Sequence, residues 1–449
     1  MEVRAVAGRQ PAYRTSFFEI YFVYAIIFST GAFYFQLTGI DPSTVEPGDP
    51  LSPLARINSL FIYVSILAVS LIYWRRIQSV IVSSWPLFVF PALALVSCLW
   101  ALDPMATLRR SIGLLVNLIT IAALVAILPP LRVVRVYVIA LGVAMLCSVL
   151  WVTLLPSYGT HMASDWIEPK HAGLWRGIYT HKNTLGNLSA IALVMFAFFG
   201  KAVIRSRVVR VVALLAAVAC LVGSRSGTGF VTAGLMTGVV LFFRSLARMN
   251  KTTRMFFGGI SLLLITLLTF VAIPLMYFIL EALGKSPDLT GRLPLWFALI
   301  VWSQERPWLG FGYSTGFELE LMPRVLEYIQ ARLPNAHNGY LETFISFGYV
   351  GLAALVVLLA SFLIRIIKSL VSSLPEERIM LPFITCLFFN ALFSNITESL
   401  FFAQNDFFNM SFALAYILLS SLLRTAAQSR ARTVRPLILH NRATGERWA

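Results

Sequence analysis

Histidine and arginine side chains suited to proton transfer or anion binding lie between the apolar blocks of this sequence. They are His337, Arg225, Arg292, Arg176 and the run His181–Asn183. An imidazole titrates near neutral pH and can accept a proton there. A guanidinium keeps its charge and can hold two phosphate oxygens at once. These residue types favour acid–base chemistry beside a bound anion, provided that the fold brings them together.

The apolar blocks indicate a protein that crosses a membrane many times. Apolar residues make up 58% of the chain and charged residues 12%, about half the charged fraction of a soluble protein. Blocks of roughly 20 residues can span a hydrocarbon core about 30 Å thick, and they must be helical there because lipid offers backbone amides no partner. We predict an all-α polytopic membrane protein with about twelve transmembrane helices, at residues 17–37, 57–73, 85–101, 111–128, 133–155, 183–200, 211–224, 227–243, 256–279, 341–364, 379–394 and 407–423.

The distribution of charge orients these predicted helices. The chain has 36 lysine and arginine residues against 20 aspartate and glutamate residues, a formal net charge of +16. With both termini in the cytoplasm, most basic residues fall on the cytoplasmic side, as the positive-inside rule requires. The basicity therefore reflects topology, and no nucleic-acid partner is expected. The four cysteines fall inside predicted spans, so we expect neither disulfides nor metal ligation from them.

The predicted topology includes a large outer loop between the ninth and tenth helices, at residues 280–340. The remaining parts are a cytoplasmic N-terminus, two groups of transmembrane helices and a basic cytoplasmic tail, at residues 1–16, 17–279, 341–423 and 424–449. Ionisable residues cluster near the outer ends of the helices rather than within them. This argues against a transport path, which usually places ionisable groups near the membrane midplane.

Two outer arginines are candidates for anion binding. Arg225 lies where arginine is disfavoured, and Gly223 and Gly227 beside it would let the backbone approach a ligand closely. The alternative is a helix-end arginine whose charge reaches the interface. Arg292 opens an amphipathic run, Leu293–Gln304, and its alternative is a solvated charge at a helix start.

The run His181–Asn183 begins a predicted helix, where backbone amides and Lys182 would favour an anion. Arg176 lies close enough in the sequence to contribute, and Arg109 and Arg110 are suited to lipid phosphates. The alternative for the run is a helix cap and interface anchor. We expect ordinary loop or helix-end roles for three further residues, His161, His171 and Glu342. The histidine spacing matches no zinc site, so no catalytic metal and no cofactor are expected.

Short motifs at outer positions follow one another in a defined order. They are Ser97–Ala101, Thr107–Ser111, Thr180–Gly186, Gly223–Gly227, Gly291–Trp296, Glu305–Tyr313 and Asn335–Leu341. Their order resembles the O-antigen ligase and Wzy-type polysaccharide polymerase superfamily of membrane proteins. The His-Lys-Asn form of the run at 181–183 is most similar to exopolysaccharide polymerases of the ExoQ type. The resemblance covers about residues 85–420.

The resemblance implies a metal-independent, inverting glycosyltransferase that uses a glycan carried on undecaprenyl diphosphate. A hydroxyl of the acceptor glycan attacks the anomeric carbon, and the lipid diphosphate leaves. This reaction needs a base near the hydroxyl and positive charge near the diphosphate. The resemblance assigns the base to His337. It supports donor binding by Arg225 and Arg292. To these we add Arg176, His181, Lys182 and Asn183, whose case rests on the predicted helix start.

The expected function is polymerisation of lipid-linked repeat units of an exopolysaccharide or O-antigen, at the periplasmic face of the bacterial inner membrane. The nearest alternative is an O-antigen ligase, which transfers the glycan to lipid A-core. An alternative of another class is a transporter or flippase for the lipid-linked glycan. The expected partners are the undecaprenyl-diphosphate-linked donor, the acceptor glycan or lipid A-core, membrane lipids and a chain-length regulator.

Overall fold

The computed structural model describes residues 16–40, 52–165, 171–261, 292–329, 333, 335–372, 374 and 376–444. The secondary structure of this part of the chain is helical and contains no strand; an isolated bridge joins Thr160 and Trp175. The all-α expectation is confirmed for these residues.

The helices follow one another through mostly short connections. In chain order they are α1 (Phe17–Phe28), α2 (Tyr34–Thr38), α3 (Pro53–Ile72), α4 (Trp74–Ser83), α5 (Trp85–Val96), α6 (Pro104–Ile127), α7 (Pro130–Leu154), α8 (Pro156–Gly159), α9 (Lys182–Phe198), α10 (Gly200–Val203), α11 (Arg207–Ser224), α12 (Gly227–Leu246), α13 (251–261), α14 (Arg292–Ser303), α15 (Met322–Ile329), α16 (Gly339–Val371), α17 (Glu377–Thr397) and α18 (Phe407–Thr444). A 3₁₀ turn, Ser97–Leu99, follows α5, and a π-helical turn, Gly316–Leu321, precedes α15.

Eight of the described helices are long and apolar enough to cross a membrane: α3, α6, α7, α11, α12, α16, α17 and α18. The pair α4 and α5 passes the same test but is bent by 95°. The twelve predicted spans are therefore matched in part. α1 ends at Phe28, short of the predicted residue 37, and most of the predicted span 256–279 lies outside the described residues. The number twelve and the orientation of the termini stay predictions.

The interior of the bundle is built around α17 and α9. α17 has no polar face, and such a helix is stable only when neighbours surround it; it packs against α12, α16 and α18. α9 packs against α7, α11 and α12. By contrast, α3 lies at the edge with most of its apolar side chains exposed, which suits contact with lipid.

A break in α16 shapes the region before it. Gly348 interrupts the helix with a φ of 60° and a ψ of −154°. The segment Pro307–Gly312 lies against this break and forms backbone hydrogen bonds to both sides of it; one runs from the N–H of Val350 to the carbonyl of Trp308 (3.2 Å). A Cβ at Gly348 would lie 2.4 Å from that carbonyl, so the approach requires glycine. The segment thereby supports the first half of α16, which begins two residues after His337.

The residues that follow this segment contact the 3₁₀ turn after α5 and the start of α6. The N–H of Tyr313 donates to Ser97 Oγ (3.1 Å), and the hydroxyls of Thr107 and Thr315 lie 2.7 Å apart. Within the large predicted loop, the run Leu293–Gln304 forms most of α14, although this helix is apolar on its exposed side as well as its buried side. Residues 280–291 of that loop lie outside the described residues.

Candidate active site

His337 lies in the turn before α16, with its backbone in the left-handed region (φ 50°). Its N–H donates to Asn335 Oδ1 (2.9 Å). Asn338 Oδ1 caps the helix by accepting from the N–H groups of Tyr340 and Leu341. Asparagine side chains commonly satisfy the backbone in turns and at helix starts. The two asparagines of the motif therefore hold the histidine outside the helix.

Further contacts clamp this turn from outside. Trp296 Nε1 of α14 donates to the carbonyl of Ala336 (2.9 Å), and the N–H of Ala336 donates to Glu342 Oε2 (2.9 Å). Ser399 Oγ donates to Glu342 Oε2 (3.4 Å) and accepts from the N–H of Asn338 (3.1 Å). Glu342 is thus more than the ordinary helix-end residue that we expected, because it ties the turn to the loop after α17.

A chain of polar side chains begins at the His337 ring. Glu398 Oε2 lies 3.4 Å from His337 Nδ1, and the two side chains are 21% and 16% exposed. Asn183 Nδ2 donates to Glu398 Oε1 (3.4 Å), and Ser226 Oγ donates to Asn183 Oδ1 (3.4 Å). At this length each contact is a long hydrogen bond. The chain joins the starts of α9 and α12 to the end of α17.

Arg225 adjoins the far end of this chain. It ends α11 in the left-handed region (φ 47°), and its side chain is exposed. Its neighbour Ser226 caps α12 by accepting from the N–H of Gly229 (3.2 Å). Within the part of the chain that the structure describes, the Arg225 guanidinium has no ion-pair partner. An exposed guanidinium therefore lies one residue from the polar chain that reaches His337.

Of the glycines near Arg225, Gly223 and Gly186 serve packing, whereas a Cβ at Gly227 would meet no atom within 4 Å. A Cβ at Gly223 would lie 2.2 Å from the Trp175 ring, so this glycine makes room for the tryptophan rather than for a ligand, which corrects our interpretation. A Cβ at Gly186 would lie 2.3 Å from Ser226 Cβ. Gly186 thereby lets α9 approach the turn at Ser226, which brings Asn183 within reach of it.

The run at 181–183 forms a helix cap. His181 Nδ1 accepts from the N–H of Asn183 (3.1 Å), and His161 Nε2 accepts from the N–H of Lys182 (3.2 Å). Two imidazoles therefore accept the hydrogen bonds of backbone N–H groups that we expected to bind an anion. The geometry favours the alternative interpretation, a cap, for this run, and His161 is a capping residue rather than an ordinary loop residue.

Arg176 is buried and held on several sides. Its Nη1 donates to Asp165 Oδ2 (2.8 Å), while Nε and Nη2 donate to the carbonyls of Tyr158 and Ser157 (both 2.9 Å). The guanidinium also stacks on the Phe35 ring at 4.9 Å. A guanidinium engaged in this way cannot turn toward a donor lipid, so Arg176 stabilises the connection between α8 and α9 instead.

The other outer arginines differ from one another. Arg292 begins α14, but its side chain lies outside the described residues, so its donor-binding role stays a prediction. Arg110 forms an ion pair with Glu318 (2.6 Å) and donates to the carbonyl of Ser314 (3.0 Å). It therefore binds the segment before α15 rather than a lipid phosphate. Arg109 is exposed.

Sequence reasoning missed two carboxylates at this end of the bundle, Glu398 and Asp406. Asp406 Oδ1 caps α18 by accepting from the N–H of Asn409 (2.8 Å). Desolvation, reinforced by the charge of Glu398, raises the pKa of Asp406 to about 7. Acidic residues in so short a connection between two apolar helices are the signal that identifies this loop.

Metal-ligating side chains do not converge in the described part of the chain. No group of three or more histidine, cysteine, aspartate or glutamate side chains there could hold a metal ion. Both ring nitrogens of His161 are engaged, because Nδ1 faces Asp165 Oδ2 (3.2 Å) and Nε2 accepts from a backbone amide.

Comparison with known proteins covers the part of the chain that contains His337 and the outer arginines Arg225 and Arg292. Residues 211–356 match the family model described as O-antigen ligase, and they include Arg225, Arg292 and His337. The chain is also similar to the exopolysaccharide production protein ExoQ of Rhizobium meliloti (strain 1021). The two are 26% identical over 336 residues, which cover 70% of this chain and 72% of the relative. The resemblance predicted from the motifs is thereby confirmed: this multi-pass membrane protein contains a region, residues 211–356, that matches the O-antigen ligase family model.

Proposed function

We propose that this protein is an inverting glycosyltransferase of the polysaccharide polymerase or ligase type, which acts on undecaprenyl-diphosphate-linked glycan. The observation that carries the proposal is the contact between His337 Nδ1 and Glu398 Oε2. Asn183 and Ser226 extend this contact to the turn that bears Arg225. A base and a cation suited to this reaction are thus supported by one polar chain.

His337 accepts the proton of the acceptor hydroxyl in this proposal. The Glu398 carboxylate faces Nδ1, which favours the tautomer with its proton on Nδ1 and a lone pair on Nε2. The hydroxyl oxygen forms a bond to the anomeric carbon, the bond from that carbon to the diphosphate oxygen breaks, and the proton passes to Nε2. Glu398 stabilises the imidazolium that results. Attack opposite to the leaving group inverts the anomeric configuration.

Arg225 binds the diphosphate of the donor, and Arg292 is proposed to assist it. Negative charge grows on the diphosphate as the glycosidic bond breaks, and a guanidinium beside it stabilises that charge. The exposed position of Arg225, without an ion-pair partner among the described residues, leaves it accessible to a lipid headgroup. Lys182, at the start of α9, adds positive charge to the same region.

Polymerisation of an exopolysaccharide, at the periplasmic face of the inner membrane, is the preferred form of this activity. The similar protein ExoQ is named for exopolysaccharide production, which favours a glycan acceptor over lipid A-core. A ligase would share the donor chemistry and differ in the acceptor. Supplying lipid-linked repeat units alone, or together with purified lipid A-core, distinguishes the two from the product that forms.

The test is donor binding measured beside glycan transfer, with purified variants in nanodiscs. We expect His337→Ala to keep donor binding and to lose transfer by ~10²–10⁴-fold, the usual effect of removing a general base. Glu398→Gln lowers transfer by ~10-fold or more, because a neutral amide stabilises the imidazolium poorly. Arg225→Ala weakens donor binding, and Arg225→Lys restores part of it, since lysine keeps the charge without the paired geometry.

A matched control is Arg324→Ala. It removes an arginine of α15 whose side chain is already paired with Glu305. It should bind donor as the wild type does. Near-normal transfer by His337→Ala would remove the base from this mechanism. Equal donor affinity of the wild type and Arg225→Ala would remove the diphosphate role from Arg225.

A further inference from the structure

The first turn of α9 is capped by two histidine rings rather than by the short polar side chains usual at helix starts. His161 Nε2 accepts from the N–H of Lys182 (3.2 Å), and His181 Nδ1 accepts from the N–H of Asn183 (3.1 Å). His171 completes a triangle with them, in which the ring centroids are 5.5 to 5.7 Å apart. Three imidazoles therefore share one small volume at the end of a helix.

These caps require neutral imidazoles. A ring nitrogen accepts from an N–H only through its lone pair, and protonation removes that lone pair. In His161 one neutral tautomer satisfies both sides, since Nδ1–H faces Asp165 Oδ2 (3.2 Å) while Nε2 accepts from α9. Protonation would also place positive charge at the positive end of a helix dipole, which is unfavourable.

The capped turn leads directly to the proposed active site. Asn183, whose N–H is capped by His181, donates through Nδ2 to Glu398 Oε1 (3.4 Å). The other oxygen of this carboxylate faces His337 Nδ1. The position of the first turn of α9 therefore decides where Asn183 meets the carboxylate that orients the proposed base.

We propose that His161 and His181 are positioning residues, which hold Asn183 and through it Glu398 in place while their rings are neutral and release them when the rings are protonated. The proposal rests on the proposed function for the role of Glu398 and His337. Its structural half, the loss of the α9 caps in acid, stands on the contacts of the two rings alone.

Charges of both signs surround the two rings. Asp165 favours a charged His161, although Arg176 already neutralises this carboxylate (2.8 Å). Lys182 and the amides of α9 disfavour a charge on either ring. Among the described residues, the charged and titratable groups that contact the cluster, or reach it through Asn183, include Asp165, His171, Arg176, Glu398 and His337. Lys182 lies between the two capped amides along the chain.

Hydrogen exchange of the full-length protein in nanodiscs tests the structural half without any turnover. Protection of the first amides of α9, corrected for intrinsic exchange rates, is measured from about pH 8 to about pH 5, a range that brackets the ordinary imidazole pKa of about 6.5. In the wild type we expect protection to fall with pH, by about fivefold for each cap lost. His181→Asn supplies a neutral capping side chain and should keep the Asn183 amide protected in acid.

Three further variants complete the comparison. His181→Ala should show low protection at Asn183 at every pH, and His161→Gln should remove the pH dependence at Lys182. His171→Gln, which changes the third ring and leaves both caps, should still show the fall. Wild-type protection that does not change with pH, or an equal fall in His181→Asn, would overturn the proposal.

The pH profile of transfer tests the functional half. Each variant is normalised to its own maximum, so that a loss of folded protein that is constant with pH cancels. The acid limb of the wild type should be steeper than that of the His161→Gln, His181→Asn double variant, in which neither cap can be protonated. Equal slopes would show that the caps do not position the base. If hydrogen exchange gives the expected results but His337→Ala transfers glycan normally, the proposed function is refuted. The structural half of the proposal, the pH-dependent caps of α9, then still holds.

Discussion

Two of the residues assigned to chemistry, His337 and Arg225, have backbones in the left-handed region, where residues other than glycine are uncommon. Such a conformation costs about 1 kcal/mol or more and persists where the surrounding structure holds it. The caps beside each residue supply that support: Asn335 and Asn338 flank the histidine, and Ser226 follows the arginine. Both side chains are thereby held outside their helices, where they can meet a substrate.

Replacing Arg225 with glycine should separate stability from function. Glycine adopts a φ of 47° without steric cost, so Arg225→Gly should be as stable as the wild type or up to about 1 kcal/mol more stable. Donor binding should nevertheless fall as far as in Arg225→Ala. Thermal unfolding and donor-lipid binding, both in nanodiscs, measure the two effects.

Glu376 offers a matched control for this substitution, since it too has a left-handed backbone (φ 52°) and lies at the start of α17. Glu376→Gly should show the same direction of change in stability and leave donor binding unaltered. Wild-type donor affinity in Arg225→Gly would mean that the strained arginine is kept for a reason other than the donor.

At the level of elements, glycine-mediated contacts decide how the helices approach one another. Gly186 brings α9 against the turn at Ser226, and Gly348 lets the segment Pro307–Gly312 fill the break in α16. Both contacts place backbone closer than any side chain would allow. The loop motifs before α16 therefore act through packing, and the turn at His337 depends on them for its position.

Gly348→Ala should disturb the turn at His337 although the two residues do not touch. The added Cβ would meet the Trp308 carbonyl at 2.4 Å, and alanine disfavours a φ of 60° with a ψ of −154°. The backbone strain alone should cost about 1–3 kcal/mol of stability, and transfer should fall further than donor binding. Thermal unfolding and the transfer assay provide the measurements.

Gly238→Ala is the control, because a Cβ there would enter open space within α12. Alanine is the better helix former, so this variant should gain up to about 1 kcal/mol. A tolerated Gly348→Ala with normal transfer would show that the break in α16 does not support the active site.

At the scale of the whole molecule, the titration of Asp406 should make the free energy of unfolding depend on pH. The pKa of Asp406 is raised to about 7 by desolvation and by the charge of Glu398, whereas an aspartate in an unfolded chain titrates near 3.9. The folded protein therefore retains a proton that the unfolded chain has lost. The resulting stabilisation is fully present below about pH 4 and disappears as the pH rises through about 7.

Asp406→Asn should remove this dependence, because asparagine is neutral and still caps α18. The melting temperature of the variant should exceed that of the wild type at pH 8, and this advantage should shrink as the pH falls to 5. Each 1 kcal/mol corresponds to a shift of about 2–4 °C. The histidine caps are the same in the wild type and in Asp406→Asn. Their contribution therefore cancels when the two melting temperatures are subtracted at each pH. An advantage that is constant with pH would contradict the assigned titration.

Hydropathy, charge and short motifs are sufficient to predict the helical membrane class and the resemblance to O-antigen ligases. These features are local: an apolar run must be helical in lipid, and a motif is read within a few residues. The same information predicted a helix at α14 but not its apolar exposed side. It could not define every span, since α4 and α5 are separated by a bend of 95° that hydropathy does not register.

Tertiary structure alone decided which side chains meet. Glu398 lies 61 positions after His337 and Asn183 lies 215 positions before Glu398, so their contacts depend on how α9, α16 and α17 pack. Packing also buried Arg176 against Asp165, a role that its type and position had not indicated. A guanidinium looks the same in a sequence whether it faces a substrate or a buried carboxylate. The distinction arises only when neighbouring elements either cover the charge or leave it open.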